Sequence, residues 1–122
     1  MSISACWFEI PATDLIRSKK FYESIFQMEM QGMNADNDRM FIFPSGEGTI
    51  GGALFQADDF APSKDGVRLY FDGDSGLGVF LNRVEFAGGK VLKPKAVITK
   101  EIGHCADFMD TEGNIASLHS RG

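Results

Sequence analysis

Two histidines, His104 and His119, and two cysteines, Cys6 and Cys105, are the chain's whole stock of imidazole and thiol ligands. No HxH, HxxxH or HExxH spacing links the histidines, a thin inventory for a metal site. The cysteines show no CxxC or Cys/His spacing and read as buried free thiols of a reducing compartment. No Ser/His/Asp triad is evident. The run Gly73-Asp74-Ser75-Gly76-Leu77-Gly78 matches neither phosphate-loop pattern, and its acids repel phosphate, so it reads as a strand-to-helix turn. Proton chemistry is left to Glu9, inside an apolar run, and to His119 near the C-terminus. Burial of a carboxylate on an apolar wall raises its pKa toward the range of a general base, and an imidazole titrates near neutrality. Each also has a plain reading: Glu9 wet or paired at a strand end, His119 part-exposed at the surface. Trp7, the sole tryptophan, offers a stacking face and an N–H donor, or simply fills space. Asp107 interrupts the apolar pattern Cys105–Met109, as a substrate-orienting acid or because that face is solvated. His104 reads as a cavity-rim, interface or loop residue.

Composition narrows the partners. At 122 residues, with 43% hydrophobic and 24% charged residues, the chain is expected to form one globular domain. Twelve Lys+Arg against seventeen Asp+Glu leave a net charge of −5, so no nucleic acid and no anionic membrane surface is expected as partner. No apolar run approaches the ~20 residues of a membrane span. The N-terminus lacks the basic-then-apolar pattern of a signal peptide, and a cytoplasmic location is expected.

The elements that must hold these residues come in two similar sets. Residues 3–10 (ISACWFEI) are β-prone and closed by Pro11. From Asp14 to Gln27 the apolar positions Leu15, Tyr22, Ile25 and Phe26 recur at helical period, with Thr13 or Asp14 as cap. Three β-like runs follow near 28–33, 39–44 and 49–57, separated by Asn34–Asp38 and Ser45–Gly48. Met28, Met30, Met33 and Met40 in these runs suit a core, a dimer surface or a pliable pocket. The polar stretch 58–65 is the linker candidate. Beyond it, Gly66–Asp72 reads as a strand, Leu77, Phe80, Leu81 and Val84 as an amphipathic helix, and Gly88-Gly89 as its stop. Strands follow at 90–98, 104–109 and 115–119, the last two joined by the turn 110–114. The expected class is α+β, with module one over 1–58 and module two over 66–122, each β-α-β-β-β, in a single domain spanning 1–122.

This duplicated pattern, with WFEIPATDLIRSKKFYESIF, GVRLYFDGD, RVEFAGGKVLKPK and DTEGNIASLHS in order along nearly the whole chain, resembles the vicinal oxygen chelate superfamily of glyoxalase I, bleomycin-resistance proteins, fosfomycin-resistance enzymes and extradiol dioxygenases. It is most similar to single-domain glyoxalase-like proteins. The resemblance implies curved mixed sheets that form a cup around one cavity, commonly completed by dimerisation; the eleven phenylalanines agree with a homodimer. It also implies slots for metal ligands, which fall on Trp7, on Val67 or Leu69, within Gly51–Phe55, and on Ser117. Trp, Val or Leu, and Ser cannot build a hard-cation site, so no metal or other cofactor is expected. If Trp7 faces the cavity, alternation carries Ala5 and Glu9 with it and puts Cys6, Phe8 and Ile10 under the helices. Ser117 carries Ile115 and His119, and Val67, Leu69 and Phe71 of the fifth strand line the wall. Gly51-Gly52 leaves bare backbone for a ligand to approach. The expected function is binding of a small, partly apolar organic molecule in the inter-module cavity. The alternatives are a glyoxalase-like lyase or isomerase, with Glu9 and His119 as acid and base or as parts of a recruited divalent-metal site, and a non-catalytic oligomerisation or regulatory module.

Overall fold

A computed structural model describes residues 1–35 and 38–122. Asp14 starts the first helix, its Oδ1 accepting the Arg17 N–H at 3.0 Å, and α1 runs Leu15–Phe26. Leu15, Ser18, Phe21, Tyr22 and Ile25 form its buried stripe, and Gln27 ends it in the left-handed region at φ 52°. The second helix, α2, covers Leu77–Val84 and buries Leu77, Leu81 and Val84. Its stop is Gly88 at φ 104°, a conformation that costs glycine little, after which the Gly89 N–H returns to the Val84 carbonyl at 2.9 Å.

The strands fall into two four-stranded mixed sheets. In the first, β1 (Trp7–Pro11), β2 (Gln31–Ala35), β3 (Asp38–Ile42) and β4 (Gly51–Gln56) take the order β1-β4-β3-β2, with β1 parallel to β4. In the second, β5 (Tyr70–Asp72), β6 (Lys90–Thr99), β7 (Gly103–Met109) and β8 (Ile115–Ser120) take the order β5-β8-β7-β6, with β5 parallel to β8. The chain is thus two tandem β-α-β-β-β units, as the sequence pattern predicts, and neither sheet closes into a barrel. The turn expected over 34–38 has its centre, residues 36–37, outside the described residues. The first strand is shorter than expected: residues 1–6 are exposed and lie outside it, so Cys6 is an exposed thiol rather than a buried one.

One apolar core serves both sheets. Phe8 and Ile10 of β1, Leu54 of β4, Phe71 of β5, Ala106 and Phe108 of β7 and Leu118 of β8 belong to it together with α1 and α2. The Phe8 ring meets Phe71 edge-on at 5.9 Å, and Phe21 of α1 reaches Phe108 of the other sheet at 5.9 Å. Tyr22 lies at the centre, fully buried, and its hydroxyl donates to Asp110 Oδ2 at 2.8 Å. Burial, then the Asp110 charge and that hydrogen bond, hold the phenol well above its ordinary pKa, so it stays a neutral donor.

Candidate functional site

Alternation along the strands decides which side chains are free for chemistry. Because Phe8 and Ile10 enter the core, Trp7 and Glu9 stand on the opposite face of the first sheet, both exposed. Trp7 Nε1 donates to Glu9 Oε2 at 3.3 Å. The bare backbone of Gly51-Gly52 serves these neighbours: a Cβ on Gly51 would lie 3.0 Å from the Trp7 ring, and one on Gly52 would collide with the Phe8 ring. Those glycines therefore admit β1 aromatics, where the sequence reading had a ligand approach.

In the second sheet the register Tyr70↔Ser117, Phe71↔Leu118 and Asp72↔His119 fixes the faces. Leu118 and Phe71 enter the core, so Tyr70, Asp72, Ser117 and His119 share the face turned away from it. Leu69 and Phe71, expected with Val67 on the cavity wall, do not share the face of Ser117 and His119: both pack on the core, and Arg68, Tyr70 and Asp72 carry the outward face. The alternation itself holds, but its face is set by the register of Tyr70–Asp72 on β8, while Val67 lies before the strand, fully exposed, where no sheet pairing fixes its side.

Asp107 gathers this outward face. Its Oδ1 accepts the buried Ser117 hydroxyl at 2.6 Å, and its Oδ2 accepts Arg68 Nη1 at 3.2 Å. Asp107 is therefore a paired, largely covered acid, and Arg68 is a site-face residue that the sequence reading missed; the signal available was the apolar alternation Leu69/Phe71 flanking it. His119 Nε2 lies 2.6 Å from the Ile102 carbonyl, which can only accept, so Nε2 is the donor. His104 sits half-buried on β7 with an unpartnered, buried Nδ1. Among the described residues no hydrogen bond joins Trp7 or Glu9 on one sheet to Ser117 or His119 on the other: Trp7 and Glu9 pair with each other, Ser117 with Asp107, and His119 with the Ile102 carbonyl.

Two cavities open along the seam between the sheets. The first, about 480 Å³, is almost wholly apolar: Phe8, Phe26, Met28, Phe43, Ile50 and Phe71 line it, with Ser45, Thr49 and Asp72 among its few polar neighbours. The second, about 490 Å³, lies at the opposite end of β1 and takes in Glu9, Val67 and Leu69 with the charged side chains of Lys64, Asp65 and Arg68. The residues singled out from sequence thus divide between the two. Phe71 lines the first, Glu9, Val67 and Leu69 line the second, and Trp7, Ser117 and His119 line neither.

No protein-family model matches this sequence, and no curated protein matches it. Solved structures do. A glyoxalase/bleomycin resistance protein from Albidiferax ferrireducens superposes with a TM-score of 0.68 at 17% identity, covering 97% of this chain and 98% of its own. A glyoxalase-related enzyme from Fulvimarina pelagi reaches 0.71 at 16% identity, covering 96% and 87%. The chain has the vicinal oxygen chelate fold. A third structure of this fold, the fosfomycin resistance protein FosX from Listeria monocytogenes, was solved with Mn(II) and a dihydroxypropylphosphonic acid, and matches at 0.68 with 14% identity over 100% and 95%. That metal raises the question of fit here. Among the described residues no three His, Cys, Asp or Glu side chains gather. Of the outward-facing donors, Glu9 is engaged by Trp7, Asp107 by Ser117 and Arg68, and His119 by a backbone carbonyl, which leaves Asp72 with one free carboxylate oxygen. This set does not fit a divalent ion, which needs several converging oxygen or nitrogen ligands and an open position.

Proposed function

We propose that this protein binds a small, partly apolar organic molecule in the cavity between its two modules, without a resident metal, and that it does so as a homodimer in the cytoplasm. The observation that carries the reading is the first seam cavity: about 480 Å³ with aromatic and aliphatic walls lies within the range of small-molecule pockets, and Phe8, Phe26 and Phe71 are left only partly buried there. Rings that a closed core would cover remain available for a ligand to cover. The outward sheet faces support association with a second copy, because Trp7 and Tyr70 on them are 44% and 50% exposed. Cys6 and Cys105, both free, agree with a reducing compartment. The acid–base alternative draws less support, since Glu9 and His119 belong to different sheets and hydrogen-bond to other partners, Glu9 to Trp7 and His119 to the Ile102 carbonyl.

The test uses Trp7, the sole indole, whose ring lies against Gly51 next to the cavity-lining residue Ile50. A library of small aromatic and aliphatic metabolites is expected to contain members that change its emission and raise the melting temperature. Ile50→Trp, at an exposed position on the rim, should fill the mouth and abolish the melting-temperature response while leaving the unliganded melting temperature unchanged. A library that moves neither signal overturns the binding reading. A melting rise of several degrees on adding Mn, Ni, Zn or Fe ions overturns its metal-free part.

A further inference from the structure

We infer that the first seam cavity selects an organic cation, an aryl- or alkylammonium compound, over its neutral and anionic counterparts; the inference rests on the binding reading above and names its ligand class. Among the described residues lining the cavity, Asp72 alone bears a charge. It stands exposed at the end of β5, one residue beyond Phe71, and makes no ion pair among the described residues. Its Oδ1 accepts the Asp74 N–H at 2.9 Å, which anchors the side chain in the turn before α2 and leaves Oδ2 for a further donor.

The rest of the wall has matching electrostatics. Phe8, Phe43 and Phe71 touch one another at centroid separations of 5.5, 5.6 and 5.9 Å, and Phe26 joins Phe71 at 5.0 Å. The four rings make a continuous aromatic floor. Ring faces carry negative quadrupole potential, so a cation over them gains, whereas an anion is repelled by both the floor and the carboxylate. Among the described residues no lysine or arginine lines this cavity to reverse that bias, in contrast with the second cavity, where Lys64 and Arg68 stand beside Glu9 and Asp65. The chain's net charge of −5 acts in the same direction over longer range. An ammonium group at the mouth would meet Asp72, and its apolar body would cover Phe8 and Phe71.

Calorimetric titration of the full chain with three probes of one shape tests this: 2-naphthylmethylammonium, 2-naphthylmethanol and 2-naphthoate. The ammonium compound is expected to bind about tenfold more tightly than the alcohol, and the naphthoate most weakly. Asp72→Asn keeps an oxygen to accept the Asp74 N–H, so the turn persists. It should bring the ammonium compound down to the affinity of the alcohol and leave the alcohol unchanged. Equal affinities of ammonium and alcohol, or an undiminished preference in Asp72→Asn, overturn the cation assignment while the binding reading stands. No binding by any probe overturns both. If affinity for all three falls as chain concentration rises, with dimer formation seen by sedimentation, a second copy occupies the cavity and the assignment is overturned.

Discussion

The two helices hold equivalent places in the duplicated pattern and do different work. α1 has twelve residues, a side-chain cap from Asp14 and a buried stripe that packs on β3 and β4 of its own sheet and reaches Phe108 of the other through Phe21 and Tyr22. α2 has eight residues, begins at Gly76 without a side-chain cap, and touches mainly its own sheet and α1. The second module also reaches across to hold α1 at its start. Glu112, in the hairpin between β7 and β8, accepts the N–H groups of Thr13 and Asp14 at 3.0 and 2.8 Å and pairs with Arg17 Nε at 2.7 Å, its own side chain fully covered. A carboxylate in that position satisfies donors that a helix start leaves open and lies at the favourable end of the helix dipole. Asn114 adds a hydrogen bond from Nδ2 to the Pro11 carbonyl at 2.8 Å. Duplication of a fold therefore did not duplicate its mechanics: one helix is the shared keystone of both units, the other a local cover.

That asymmetry can be broken from either side. Tyr22→Ala removes a fully buried ring shared by both sheets and is expected to cost about 3–5 kcal/mol, against about 2–3 kcal/mol for Leu81→Ala on α2, read by denaturant unfolding. Equal losses would mean that α1 holds no special place. Glu112→Ala should cost about 1–2 kcal/mol at neutral pH through loss of the cap and the Arg17 pair. Burial alone would raise the Glu112 carboxyl, but hydrogen bonds from Arg17, the Asp14 backbone and Thr111, with the Arg17 charge, hold it below its ordinary value. A carboxylate depressed on folding contributes its full stabilisation above its unfolded pKa and loses it as pH falls through the folded value. The melting-temperature gap between wild type and Glu112→Ala should therefore be widest at neutral pH and close in acid; a gap that persists at low pH would contradict this. Gly78→Ala is the smallest effect. The position is exposed within α2 with no atom near an added Cβ, so it should stabilise by about 0.5–1 kcal/mol, seen as a small rise in melting temperature.

Much of this architecture can be read from residues alone. The α1 boundaries follow from Asp14 and the Leu15/Tyr22/Ile25 period, those of α2 from Leu77/Leu81/Val84 and Gly88, and the β7–β8 hairpin from the turn 110–114. The seam cavities are less legible. Phe8, Phe43 and Phe71 come from strands and loops far apart in sequence, and nothing local announces that their rings converge. Arg68, Asp107 and Ser117 likewise become one hydrogen-bonded group only when β5, β7 and β8 lie side by side.

Local interactions fixed what the sequence by itself determined: helical periods, caps and turn glycines act within a few residues, so the two β-α-β-β-β units and their order are written in the chain. Which face of β5 meets the core, and whether Glu9 and His119 meet, were decided by tertiary structure. A side chain in a strand changes face with every residue, and in a strand as short as Tyr70–Asp72 the phase is set by hydrogen bonds to β8 rather than by any pattern of its own. The packing of both sheets around one aromatic core then left an open cavity along the seam between β1 and β5.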